Sequence, residues 1–189
     1  MIRIGILGDI SSGKSYVAKI FGYPVFNADA EVGELYKKDK KIFNKLKKNL
    51  PKYIFSFPIN KDEISKAILA NKSNLKKIVK IVHLEVRKKM NIFLKKNTNK
   101  KIVILDIPLL LENKINKKKD ILIFVQSEKT KILQRLKERQ NFNLKLLNKF
   151  RKIQLPLSYK KKKSQYIIKN DFTKRTVKKG IKIILKEIL

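Results

Sequence analysis

The stretch that decides the fold is residues 2–7 (IRIGIL), an apolar run, followed at once by residues 8–15 (GDISSGKS). The second segment fits the pattern G-x-x-x-x-G-K-[ST] at every fixed position. It lies between a predicted strand and a predicted helix, so that its backbone N–H groups can cradle phosphate oxygens at the positive end of that helix. The sequence therefore predicts a domain that binds a nucleoside triphosphate.

Each fixed residue of this loop has a chemical reason. Gly8 and Gly13 permit backbone conformations that a side chain would forbid. Lys14 is expected to reach the β- and γ-phosphates, and the Ser15 hydroxyl to bind Mg²⁺. The other predicted nucleotide contacts in this region are Ser11, Ser12 and Tyr16. The loop alone leaves a kinase, a GTPase, an ATPase motor and a transporter open.

Outward from the loop, apolar runs alternate with amphipathic patterns, which is typical of an α/β fold. Continuous apolar strands favour a parallel sheet covered by helices on both faces. We therefore predict a P-loop NTPase fold with a five-stranded parallel sheet flanked by helices. The strands are predicted at residues 2–7, 24–27, 101–105, 121–125 and 166–168. The helices are predicted at residues 15–21, 30–37, 62–69, 73–94, 127–139 (with Ser127 as N-cap) and 173–189.

The pattern predicts one domain over residues 1–189. Its core is assigned to residues 1–55, 96–139 and 165–189. A helical insert at about residues 56–95 is expected to bind substrate, and the lysine-rich segment at about residues 140–164 is expected to form a lid.

The chain carries 48 Lys and Arg against 15 Asp and Glu, a net charge of +33. Such a balance can indicate a polyanionic partner. Only six of the cations are arginine, whose planar fork suits geometric recognition of phosphate, and the other 42 are lysine. We interpret the lysine excess as background and expect no specific nucleic-acid partner. A basic nucleic-acid-binding protein stays open as an alternative, with residues 160–163 as its best patch, although a solvated surface is the simpler interpretation.

The chain has no cysteine, which fits a reducing compartment. Residues 1–10 lack the apolar stretch of a signal peptide, and no run reaches the roughly 18 apolar residues of a membrane helix. We expect a cytoplasmic protein that does not bind membranes and is a monomer or a weak homo-oligomer.

Two carboxylates follow predicted strands. Ligands bind at the carboxyl ends of the strands in open parallel sheets, so Asp29 and Asp106 are both expected to face the bound phosphates. One carboxylate could take a proton from an acceptor hydroxyl and the other could support Mg²⁺. The alternative for Asp29 is a helix N-cap.

Lys131, Arg135 and Arg139 recur every four residues on one predicted helix. Lys131 is interpreted as part of a solvated face. Because arginine is scarce in this chain, Arg135 and Arg139 are predicted to stabilise the charge on a transferred phosphoryl group.

Over residues 2–171 these features resemble the dephospho-CoA kinase family, which catalyses the last step of coenzyme A synthesis. Residues 27–29 (NAD) resemble the family's Asp-Ala-Asp, and residues 106–112 (DIPLLLE) resemble its Pro-Leu-Leu-Phe-Glu segment. The remaining positions that carry the resemblance are His83 of the helical insert, the arginines at 135 and 139, Gln154 of the lid, and Asn170 beside the adenine.

The resemblance implies transfer of a phosphoryl group from ATP, with Mg²⁺, to the ribose 3′-hydroxyl of dephospho-CoA. It implies that Asp29 is the base and that Ser15 and Asp106 support the metal. It further implies a substrate-binding set of His83, Pro108, Leu109, Leu110, Asp106 and Gln154. Another P-loop kinase of small molecules, such as a nucleotide or shikimate-type kinase, remains the nearest alternative.

The sequence departs from the family pattern at four positions. Asp9 and Ser11 replace loop glycines, Asn27 replaces the first aspartate, and Leu84 replaces the proline after the histidine.

Overall fold

The computed structural model describes residues 1–138 and 142–189. Its centre is one five-stranded sheet with the order β2-β3-β1-β4-β5, in which each pair of neighbouring strands is parallel. The strands are β1 (Ile2–Gly8), β2 (Val25–Asn27), β3 (Ile102–Asp106), β4 (Ile121–Gln126) and β5 (Tyr166–Lys169). The predicted α/β fold with a five-stranded parallel sheet is therefore confirmed.

The helices cover both faces of this sheet. In chain order they are α1 (Lys14–Ile20), α2 (Ala28–Lys38), α3 (Lys40–Asn49), α4 (Lys61–Ala70), α5 (Lys72–Lys96), α6 (Lys129–Lys137), α7 (Leu144–Lys152), α8 (Leu157–Lys163) and α9 (Lys174–Ile188). The sequence predicted no helix at the places of α3, α7 and α8. The side-chain N-cap of α3 is Asp39, and its buried side chains are Ile42 and Leu46, too few for a clear apolar pattern among seven neighbouring charged or amide residues.

Side chains of β1 alternate between two hydrophobic clusters, as the period of two in a strand requires. Ile4 and Ile6 pack with Val177 of α9 on one face. Leu7 packs on the other face with Leu105 and with the helices from α2 to α5. All five residues of β3 are buried, and the one charged residue among them is the last, Asp106.

Two helix starts differ from the predictions. Asn27, rather than Asp29, caps α2 by accepting a hydrogen bond from the Ala30 N–H at 2.7 Å. Asp29 lies in the first turn, so the N-cap interpretation of Asp29 is wrong. Ser127 does not cap α6, which begins after Glu128; its hydroxyl instead donates to the Ser12 carbonyl at 2.9 Å.

Helices α7 and α8 occupy the segment that the sequence assigns to a lid. Leu147 of α7 packs against Ile132 and Leu136 of α6. The solvated-surface interpretation of residues 160–163 is correct for Lys161, Lys162 and Lys163 but wrong for Lys160, which is 1% exposed. Among the helices of residues 1–138 and 142–189, none is long and apolar enough to cross a membrane.

The backbone of Gly5 lies against the side chains of the core. A Cβ placed on Gly5 would stand 2.5 Å from Leu110 Cδ2 and 2.9 Å from Leu122 Cδ2. We expect Gly5→Ala to lower the free energy of unfolding by about 1–3 kcal/mol, because overpacking forces neighbouring side chains off their rotamers. Urea denaturation measures this change.

Gly33→Ala is the matched control. Gly33 lies within α2, and a Cβ there would meet nothing within 4 Å. It should stabilise the protein by about 0.5–1 kcal/mol through helix propensity. Equal stability changes for the two variants would contradict the packing of Gly5.

Candidate active site

The loop between β1 and α1 is built around a left-handed turn. Gly13 has a φ of 87°, and a side chain there would collide with the Asn170 amide. Asn170 follows β5 and donates to the Ser12 carbonyl at 2.8 Å. The segment after β5 therefore holds the loop in place, and the glycine is required both by the backbone angle and by this contact. Ser11 also has a positive φ, 64°, where the family pattern has glycine.

The Lys14 ammonium lies inside the loop. It donates to the Asp9 carbonyl at 2.6 Å and to the Gly8 carbonyl at 3.4 Å. Burial lowers the pKa of Lys14, and the negative charge of Asp106 is the strongest opposing influence. An ammonium that is bound to backbone carbonyl oxygens can exchange them for phosphate oxygens.

The ends of β2 and β3 bring polar groups together with the start of α1. Asp106, 3% exposed, accepts a hydrogen bond from Asn27 Nδ2 at 2.6 Å, and the same Nδ2 lies 3.5 Å from Ser15 Oγ. Burial raises the pKa of Asp106, while hydrogen bonding from Ser15, the charge of Lys14 and the amide of Asn27 lower it. The two predicted metal ligands, Ser15 and Asp106, therefore lie on either side of the same Asn27 amide nitrogen.

These groups suit Mg²⁺. A carboxylate and a hydroxyl are hard oxygen donors, and Mg²⁺ is usually held by one or two carboxylates together with nucleotide phosphates and water. No group of three or more His, Cys, Asp or Glu side chains in the described ranges could hold a metal by itself. The Ser11 and Ser12 hydroxyls are buried without a hydrogen-bond partner among the described residues, which fits a loop that receives ligand oxygens.

A cavity of about 380 Å³ opens beside the loop and contains most of the predicted substrate-binding residues. Ile10 of the loop lines it together with Asp29 at the start of α2. The other predicted residues that line it are His83, Pro108, Leu109 and Gln154. Leu110, in contrast, is fully buried in the hydrophobic core beside Gly5. Asp106 does not line this cavity and lies instead beside Asn27 at the ends of β2 and β3.

Sequence reasoning missed Arg87 in the same cavity. Arg87 follows His83 by one helical turn in α5 and donates to the Asn113 carbonyl at 3.0 Å. Burial and the nearby Arg87 charge both lower the pKa of His83. The signal in the sequence is the scarcity of arginine, which singles out Arg87 as much as Arg135 and Arg139.

The loop also contacts α6 and the segment after β5. The Arg135 guanidinium lies 4.5 Å from the centre of the Phe172 ring, and Phe172 adjoins Gly13. Asn170 is buried here, whereas Tyr16 is exposed. Arg139 lies outside the described residues. Phe172 was not predicted; an aromatic two residues after an asparagine carries no recognisable pattern.

A second cavity, of about 460 Å³, lies between the loop and the helices α6 to α8. Asp9 and Gln154 line it together with Arg151 of α7, whose guanidinium is 4.0 Å from the Asp9 carboxylate. Gln154 therefore lines both cavities. Arg151 and the buried Lys160 are charged residues near the site that sequence reasoning did not identify.

Comparison with known proteins agrees with this geometry. A family model described as dephospho-CoA kinase matches residues 2–175. The dephospho-CoA kinase of Wolbachia pipientis wMel is 36% identical over 187 residues, covering 96% of this chain and 95% of that protein.

Two solved structures align over almost the whole chain. The crystal structure of TT1252 from Thermus thermophilus does so with a TM-score of 0.78 at 24% identity, covering 100% of this chain and 98% of that one. A dephospho-CoA kinase from Campylobacter jejuni does so with a TM-score of 0.62 at 19% identity, covering 98% and 96%. At these identities the solved structures support the fold, and the family model together with the Wolbachia relative shows that this chain belongs to the dephospho-CoA kinase family.

Proposed function

We propose that the protein transfers the γ-phosphoryl group of ATP to the ribose 3′-hydroxyl of dephospho-CoA, giving coenzyme A and ADP. The observation that carries this proposal is that Asp29 and Ile10 of the phosphate loop line one cavity. An acceptor hydroxyl bound there would lie between a carboxylate and the phosphates. This is the arrangement that in-line phosphoryl transfer needs.

The chain's own residues would divide the work at this site. Asp29 accepts the proton of the attacking hydroxyl, and Lys14 stabilises negative charge on the phosphates. Ser15 and Asp106 would hold Mg²⁺, which when bound neutralises charge on the phosphate oxygens. Asn27 orients the Asp106 carboxylate through its amide donor.

We assign ATP binding to the loop residues Gly8, Ser11, Ser12, Gly13, Lys14 and Ser15, with Tyr16 and Asn170 at its edge. Arg135 is proposed to act on the nucleotide side, where its guanidinium already lies on Phe172. The stabilisation of the transferred phosphoryl group by Arg135 and Arg139 stays a prediction.

We assign substrate binding to the 380 Å³ cavity. Its apolar lining includes Val79, Val86 and Met90 and suits a pantetheine arm, while His83 and Arg87 offer polar contacts. Leu110 is dropped from the predicted set because it is buried in the core. The division into core, insert and lid is retained as a proposal, with α4 and α5 as the insert and α7 and α8 as the lid.

Two alternatives are less well supported. A nucleotide or shikimate-type kinase would use the same fold, but family membership favours dephospho-CoA as the acceptor. A specific nucleic-acid partner is less well supported because Lys160, one of the four lysines of the predicted binding patch, is buried. We further propose a cytoplasmic enzyme, a monomer or weak homo-oligomer, in a compartment that supplies ATP.

The purified protein with Mg²⁺, ATP and dephospho-CoA should form coenzyme A and ADP, measured by chromatography of the products. Lys14→Ala should reduce kcat by about 100- to 1,000-fold, because a preorganised charge on the phosphates is lost. Lys179→Ala, on an exposed part of α9, is the matched control and should keep full activity. Absence of coenzyme A with the intact protein, or better turnover of another hydroxyl acceptor, would contradict the proposal.

Asp29→Asn removes the proposed base while keeping nearly the same shape. We expect kcat to fall by about 100- to 10,000-fold, with the KM for ATP little changed. Asp62→Asn, an exposed carboxylate in the first turn of α4, is the control for loss of one negative charge. Wild-type kcat in a folded Asp29→Asn protein would exclude Asp29 as the base.

The shifted pKa of His83 predicts a pH dependence of stability. Burial lowers this pKa below its ordinary 6.5, so between the two values the unfolded chain binds more protons than the folded one. The free energy of unfolding should therefore fall as the pH drops through about 6.5, with no contribution from His83 well above it. Urea denaturation of the wild type and His83→Gln across this range tests the shift. Identical pH slopes would show that His83 is not shifted.

A further inference from the structure

Lys160 of α8 is a buried lysine in a protein whose other lysines largely face water. Its ammonium lies 2.7 Å from Glu112 Oε1 and donates to Gln154 Oε1 at 2.9 Å. Moving an ammonium out of water costs several kcal/mol, and here the ion pair with Glu112 and the hydrogen bond to Gln154 offset that cost. Lys160 therefore belongs to the interior of the protein and not to its charged surface.

The ion pair joins two parts of the site. Glu112 ends the segment after β3 whose members Pro108 and Leu109 line the 380 Å³ cavity. The same Glu112 Oε1 also accepts the Leu155 N–H at 2.9 Å. One carboxylate oxygen therefore fixes both the helix α8 and the turn between α7 and α8 to the wall of the cavity.

Lys160 also sets the direction of a carboxamide. Gln154 lines both cavities, so its side chain lies at the boundary between the loop side and the acceptor side. Because Oε1 of Gln154 faces Lys160, Nε2 is turned away from it. An N–H donor in that place can bind a phosphate oxygen, which a carbonyl oxygen cannot do.

Lys160 lies within electrostatic reach of the phosphate loop. Its positive charge is one of the influences that lower the pKa of Lys14. This influence shows that Lys160 lies close to the loop, and the contacts through which it positions the site are those with Glu112 and Gln154.

We propose that Lys160, paired with Glu112, is a positioning residue that holds the Gln154 carboxamide with its N–H donor toward the phosphates between the two cavities. The inference rests on the proposed function. It assigns Lys160 no contact with the substrate, and its effect on the reaction passes through Gln154.

The test removes the charge pair as a unit, because Lys160→Met alone would leave Glu112 buried without a partner. Four proteins are compared: wild type, K160M/E112Q, Q154A, and the triple variant. Coenzyme A formation gives kcat and the KM of each substrate, and urea denaturation gives the stability. Lys162→Met, an exposed lysine of the same helix, is the matched control and should keep wild-type values.

In the wild-type background we expect K160M/E112Q to lower kcat by about 10- to 100-fold, since a misplaced group at the reacting centre costs this much. In the Q154A background the same pair removal should lower kcat by less than about threefold, because residues that act as a unit are not additive. A purely structural role predicts the same fold-loss in both backgrounds. That result, or no loss in either, would overturn the proposal.

The Gln154→Glu variant tests the proposal even if K160M/E112Q fails to fold. It keeps an oxygen acceptor for Lys160 but replaces the N–H donor by a carboxylate oxygen that repels phosphate. We expect normal stability, a kcat at least about tenfold lower and a raised KM for ATP. Unchanged kcat and KM would overturn the inference, whereas inactivity of the wild type with dephospho-CoA would instead count against the proposed function.

Discussion

A parallel sheet that is covered on both faces can carry polar side chains only where its strands end. All of β3 is buried, and its one charged residue is Asp106, the last. Parallel strands bring their carboxyl ends to one edge, so Asp106 meets Asn27 from the end of β2 and Ser15 after β1. The chemistry of the site follows from this constraint, because the residues of β3 before Asp106 are buried and apolar.

The same constraint explains which features the sequence could predict. Apolar runs of strand length, joined to the loop motif, were sufficient for the five strands and for the places of Lys14 and Asp106. Helix α3 escaped because its apolar residues are few among lysines, which say little about which side of a helix faces inward. The N-cap of α2 could not be predicted from the local sequence either, because Asn27 and Asp29 both suit an N-cap and only the path of the backbone decides between them.

Side-chain burial was the property hardest to predict. Residues 160–163 are four identical lysines, so the letters alone contain nothing that separates Lys160 from its neighbours. Its burial depends on Glu112, which is 48 residues earlier in the chain. For Leu110 the error is the reverse: the sequence predicts that it lines the substrate site with Pro108 and Leu109, but its side chain is buried in the core. In both cases a tertiary contact decides what the local pattern leaves open.

Asn27 shows how one departure from the family pattern fits the edge of the sheet. Its Oδ1 accepts a hydrogen bond from the Ala30 N–H and caps α2, while its Nδ2 donates to the Asp106 carboxylate at 2.6 Å. An aspartate at this position could still cap α2, but it would bring a second carboxylate against Asp106. Two such groups cannot both stay ionised at that distance without a cation between them. The asparagine keeps the helix cap and supplies a neutral donor, and so allows Asp106 to remain at the buried strand end beside Lys14 and Ser15.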